Sequence, residues 1–128
     1  MLFHKFSPQD ERRAFGGSAF IELQFCKLPF TTPINKIVAV DSIEHWKNDS
    51  LYVNDENLFY EIYSHIFING IYNMQTGVVD IYGINYYNLS LTKTIIERVI
   101  SGKPTECEEL IMWLREAKLH NGFYILGI

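Results

Sequence analysis

Few side chains in this chain could do chemistry. There are four histidines, His4, His45, His65 and His120, and two cysteines, Cys26 and Cys107. His65 follows Glu61 by four residues, a helical spacing at which the two could share a metal ion or a proton. Ordinary contacts on an exposed helix have the same spacing and are much commoner. His45 sits between Glu44 and Trp46, and nothing in the spacing brings it to His65. A cysteine–histidine nucleophilic pair would need Cys26 or Cys107 beside a histidine in space. Cys107 instead falls on an apolar stripe with Leu110, Ile111 and Leu114, which reads as core. No GxSxG, HExxH, CxxC or phosphate-loop motif occurs. Ser101-Gly-Lys103 lacks the upstream glycines of a phosphate cradle and runs into Pro104, so it reads as a turn. Phe15-Gly-Gly-Ser18 reads as a hinge. The expectation is a protein without catalytic residues, metal or cofactor.

The elements around these residues predict an α+β fold. We expect a single domain, 1–128, with a small, mostly antiparallel sheet packed against several helices. Met1 to Ser18 reads as a loose N-terminal arm. Ala19 to Phe25 alternates as a half-buried strand closed by Pro29 and Pro33. Ile34 to Val40 is ambiguous between strand and helix. Asp41-Ser-Ile-Glu44 has the spacing of a capping box, predicting a short helix that carries Ile43 and Trp46 inward. Asp55 predicts the cap of a helix from Glu56 to about Ile68, with Leu58, Phe59, Ile62, Tyr63 and Ile66 inward. Ile71–Asn73 and Gly77–Asn88 read as an antiparallel pair. Ser90 is expected to cap a helix to Ser101 with Ile95, Ile96, Val99 and Ile100 inward, ending at Gly102. Thr105-Glu-Cys-Glu108 is a second capping box, and Phe123–Ile128 reads as a buried strand.

Composition narrows the function classes. Of 128 residues, 48% are hydrophobic and 20% charged, a globular profile. The net charge of −4 is uneven: Met1–Val40 is +2, whereas Asp41–Ile128 is −6. An acidic body disfavours nucleic acid and anionic membrane and favours a basic protein partner, although acidity also simply keeps a protein soluble. Two cysteines without metal-like spacing fit free thiols in a reducing cytosol. The N-terminus lacks the apolar run of a signal peptide, and the longest apolar runs are too short to span a bilayer. The expected location is cytoplasmic. Oligomeric state is open.

Three stretches could carry a binding surface. In the last helix Glu109, Trp113 and Glu116 would oppose the apolar stripe, unless Trp113 is covered by the N-terminal arm or another element. Asp49, Asp55, Glu56, Tyr60 and Glu61 interleave carboxylates with tyrosine and no basic residue. Helix capping by Asp55 and Glu56 is the alternative there. The stretch "VVDIYGINYYNLS", Val78 to Ser90, loses its alternation at Gly83. A bulge at Gly83 would turn Val79, Ile81, Ile84 and Tyr86 inward and line Asp80, Tyr82, Asn85 and Tyr87 along the other face. Alternatively a second helix covers that strip.

With "FYEIYSHIFINGIYN", "DIYGINYYN" and the end "NGFYILGI", the segment from Leu51 to Ile128 resembles the small immunity proteins that bacteria carry beside polymorphic or contact-dependent toxins. The resemblance is one of type: short, acidic, aromatic-rich and without catalytic residues. It implies a tight one-to-one complex with a cognate toxin domain, often a basic nuclease, neutralised by blocking its active site or a surface it needs. It assigns no role to any single residue. Two other functions fit the same sequence. One is a small enzyme or ligand-binding domain with an aromatic-lined pocket using Tyr82, Tyr87 or His65. The other is a subunit that self-associates through the Trp113 face.

Overall fold

The computed structural model describes residues 2–5 and 20–127. Seven strands form one antiparallel sheet: β1 (Phe3–His4), β2 (Ile21–Phe25), β3 (Leu51–Val53), β4 (Gly70–Tyr72), β5 (Gln75–Gly77), β6 (Ile84–Tyr87) and β7 (Phe123–Leu126). Their spatial order is β1-β3-β2-β7-β6-β4-β5. Among the described residues four helices accompany them: α1 (Ile34–Ile37), α2 (Glu56–Tyr63), α3 (Leu89–Gly102) and α4 (Cys107–Ala117). The α+β expectation holds.

The final strand, β7, lies between β2 and β6, and all four of its residues are buried. One face of the sheet, with Leu23, Phe25, Leu51, Phe123 and Ile125, forms the main core with α2, α3 and α4. The helices present the faces that period 3.6 demands. Phe59 and Tyr63 come from α2, Ile95, Ile96 and Val99 from α3, and Leu110, Trp113, Leu114 and Ala117 from α4. Leu58 and Ile100, expected inward, are exposed.

The other face is buried too, so the half-buried reading of β2 is corrected. Cys26, Ile37, Tyr86, Tyr124 and Leu126 form a second cluster under α1 and its flanks. Phe20, Tyr52 and Trp46 form a third. Tyrosines suit these layers because a ring fills apolar volume while its hydroxyl reaches a carbonyl. Tyr124 donates to the Ile37 carbonyl at 2.6 Å, Tyr86 to that of Asn121 at 2.8 Å, and Tyr63 to that of Thr105 at 2.8 Å.

Both expected capping boxes lose to tertiary partners. Residues 40–42 make only a 3-10 turn, and Trp46 takes φ 65°. The backbone amides of Trp46 and Lys47 and the Ser50 hydroxyl donate to the buried Glu22 carboxylate, at 2.8, 3.1 and 2.6 Å. Donors taken by a buried anion no longer extend a helix. At α4 the cap residue is Glu106, at φ 60°, with no side-chain cap bond. Its carboxylate accepts from the Leu2 amide at 2.7 and 2.8 Å, tying the N-terminus to the helix. Asp55 does cap α2, accepting from the Leu58 amide. Asn88, not Ser90, caps α3, and Lys103 rather than Gly102 takes the left-handed position at its end. In the expected arm, residues 3–4 pair with β3, while 6–18, with the expected hinge, lie outside the described residues.

Candidate functional site

The site begins at a hairpin. Asn73 and Met74 both have positive φ, 51° and 62°, the conformation that lets a two-residue turn follow the right-handed twist of its strands. It sends β5 back along β4 as the terminal strand of the sheet, with all three residues exposed. Val78–Gly83 then crosses back to β6 as an irregular segment. β4 pairs antiparallel with β6 at Ile71 and Tyr86, as expected. Neither a long strand nor a bulged one forms over Gly77–Asn88, which is corrected to two short strands with an irregular crossing between them.

Asn85 holds this crossing in shape. Its Oδ1 accepts from the Asp80 amide at 2.9 Å, and its Nδ2 donates to the carbonyls of Asp80 at 2.7 Å and Ile125 at 3.0 Å. Asp80 in turn accepts from the Tyr82 amide at 2.8 Å through Oδ1, a local turn that short carboxylates favour. The Gly83 amide closes on the Asp80 carbonyl. Val79 and Ile81 turn into the main core. Tyr82 is left 69% exposed at the tip.

Two clefts meet at Tyr72 and Tyr82. The first, about 470 Å³, is walled by Asn57 and Tyr60 of α2, Tyr72 of β4, and Val78 to Tyr82 of the crossing. The second, about 480 Å³, lies between Val38 and Val40 on one side and Asn73, Met74, Gly83 and Ile84 on the other. Among the described residues ten large hydrophobic side chains are exposed, and five of them (Val40, Tyr60, Met74, Val78 and Tyr82) line these clefts. Exposure so concentrated marks an interaction surface more than scattered apolar residues would. The Tyr72 hydroxyl lies beside the Asp80 carboxylate, whose accepting oxygens and negative charge raise the phenol's pKa. No Lys or Arg occurs between Lys47 and Lys93, and the described residues that line the first cleft include no cation.

Of the expected partner-binding residues, Tyr60, Asp80 and Tyr82 therefore come together from two separate stretches. Glu56 and Glu61 lie on α2 beside Tyr60, and Asp55 caps that helix. Asp49 is elsewhere: its carboxylate pairs with Lys27, and it lines a third cleft of about 290 Å³ with Gln24, Glu44 and Lys47. Glu109 and Glu116 are exposed on α4 but line none of these clefts.

Three expectations are corrected outright. Trp113 is 1% exposed; it stacks on Phe25 with centroids 4.3 Å apart, meets Phe123 edge-on, and donates Nε1–H to the Asp49 carbonyl. It belongs to the stripe of Leu110, Leu114 and Ala117, at helical offsets of three and four, and so cannot anchor a partner. Tyr87 is buried, stacked on Phe123 with a Phe67 edge. Asn85 is buried because it braces the crossing. Tyr72, Val78, Met74 and Val40, absent from the expected surface, also line its clefts.

The candidate reactive groups do not converge. His65 lines a cleft with Glu97 and Arg98, Tyr82 lines the tyrosine clefts, and Tyr87 is in the core. His45 Nδ1 lies 3.9 Å from Glu22 Oε1. Cys26 and Cys107 are free thiols in different clusters, on opposite faces of the sheet. Among the described residues no group of three or more His, Cys, Asp or Glu is arranged to hold a metal, and no helix is long and apolar enough to cross a membrane. No family model, curated protein or solved structure matches this chain.

Proposed function

We propose that this protein is a binding module that captures a basic protein domain on the tyrosine face around Tyr60, Tyr72 and Tyr82. In that role it acts as an immunity protein, neutralising a cognate toxin domain without catalysis of its own. The observation that carries this is the clustering of exposed Tyr60, Met74, Val78 and Tyr82 beside Asp80 and the acidic flank of α2. Rigid rings bury large area at small entropic cost, so a few of them can dominate an interface. Carboxylates around them speed the approach of a basic partner and set its orientation. Two free thiols suit a reducing compartment such as the cytoplasm.

Co-expression with the product of the adjacent gene tests the proposal. Growth rescue together with co-purification of a one-to-one complex is the supporting result, and failure of both overturns it. Within such a complex the association rate should fall as salt rises, because the steering charges are solvent-exposed.

A further inference from the structure

The first cleft has an unusual chemical balance for an apolar groove. Three phenol rings (Tyr60, Tyr72 and Tyr82), one carboxylate and one carboxamide (Asn57) converge there, with no cation among the described residues of the lining. Aromatic faces carry negative charge density and attract cations, more strongly when both are desolvated. Asp80 is only partly exposed, and the Tyr82 amide holds its carboxylate in place, with the Tyr72 hydroxyl beside it. An ionised carboxylate offers about four acceptor sites, so others remain for a ligand.

We propose that this cleft is a receptacle for one arginine side chain of the protein partner, fixed by Asp80 and sandwiched by the tyrosines. The proposal rests on the docking role assigned to this face above. The occupant is argued from charge and shape together. A guanidinium is flat and weakly hydrated, so it stacks on phenol faces while its fork meets a carboxylate. A compact ammonium does the second but not the first. Val78, Val79 and Ile81, also in the lining, suit the methylene stem.

The test is an NMR titration of the full chain with Nα-acetyl-arginine amide, against the neutral isostere Nα-acetyl-citrulline amide and Nα-acetyl-lysine amide. The arginine probe should bind with a Kd on the order of millimolar, moving the Tyr60, Tyr72 and Tyr82 ring signals and the Asp80 amide. The citrulline probe should bind about tenfold more weakly and the lysine probe about threefold. Asp80→Asn keeps an oxygen for the Tyr82 amide, so the turn survives while the arginine-over-citrulline preference is lost. Tyr60→Leu, on an exposed helix face, should weaken the arginine probe without disturbing the fold. Equal binding of arginine and citrulline overturns the proposal, as do shifts spread equally over Glu109 and Glu116. If the arginine probe fails while Tyr82→Ala still releases the partner, the arginine assignment falls and the docking face stands. If the probe binds but the adjacent gene product gives neither rescue nor complex, the docking role falls and the cleft remains a guanidinium site.

Discussion

The Tyr72 ring lies against Gly83 so closely that a β-carbon built on the glycine would stand 2.1 Å from Tyr72 Cε2 and 2.9 Å from Cδ2 and Cζ. Gly83 does not have the positive φ that favours glycine; close approach is what requires a hydrogen there. The same contact sets the wall shared by both clefts.

Gly83→Ala should therefore push the Tyr72 ring outward and carry its hydroxyl away from Asp80. Overpacking of this kind costs about 1–3 kcal/mol, partly offset by the smaller conformational freedom of alanine in the unfolded chain. A net loss of about 1 kcal/mol in urea unfolding is expected, with weaker partner binding. Unchanged Tyr72 ring shifts in the variant would disprove the coupling.

Trp113 separates core from surface. Trp113→Phe keeps most of the ring area but loses the bond to the Asp49 carbonyl, and should destabilise by about 1–2 kcal/mol. Trp113→Ala should cost about 3–5 kcal/mol. Partner affinity of the folded Phe variant should match wild type. A Phe variant with wild-type stability and reduced affinity would instead make Trp113 an anchor.

The Tyr87 hydroxyl is buried with no hydrogen-bond partner among the described residues. A buried polar group left unpaired costs about 1–3 kcal/mol, so removing it relieves the folded state. Tyr87→Phe should raise the unfolding midpoint or leave it unchanged. A clear drop would reveal a partner for the hydroxyl, such as a bound water.

Alkali should unfold the protein cooperatively. Burial raises the phenol pKa values of Tyr63, Tyr86, Tyr87 and Tyr124 above the ordinary 10.0, with nearby Cys107, Glu106 and Glu108 adding to it at Tyr63 and Cys26 at Tyr86 and Tyr124. Each group is neutral in both states below the unfolded pKa, so the folded state is not penalised there. Above about pH 10 the unfolded chain ionises first, and stability falls by about 1.4 kcal/mol per pH unit for each such tyrosine. Phenolate absorbance from these four should appear together with loss of the circular dichroism of the fold. Their gradual ionisation in a still-folded protein would contradict the burial.

The elements that announced themselves in sequence were those with local signals strong enough to survive tertiary competition. The Asp55 cap, the α3 stripe of Ile95, Ile96 and Val99, and the buried run Phe123–Leu126 are of this kind. The capping boxes at Asp41 and Thr105 failed because long-range contacts prevailed: Glu22 captured the amides of Trp46 and Lys47, and Glu106 turned to Leu2. No spacing rule carries contacts of that range. The site was half legible. Tyr60, Asp80 and Tyr82 stood out as aromatics among carboxylates, but their meeting depends on the Asn73-Met74 turn and on Asn85, whose polarity suggested surface. Trp113 was readable as core from its offsets to Leu110 and Ala117, once Ile111 is not forced into the same stripe.

Two acidic surfaces are candidates for docking the proposed partner, and substitutions can rank them. Glu109 and Glu116 on α4 are exposed, and among the described residues of that helix no aromatic side chain is exposed with them, whereas Tyr82 stands over two clefts between Tyr60 and Met74. Exposed charges contribute mainly to encounter; anchors in desolvated pockets govern release. Tyr82→Ala should therefore raise the Kd of the complex about thirtyfold or more, through faster dissociation. The Glu109→Gln, Glu116→Gln double variant should change it by about threefold or less, through slower association that disappears at high salt. Both variants alter exposed side chains and should unfold like wild type, so kinetics on a biosensor surface reads the face and not the fold. The reverse ranking would move the interface to α4.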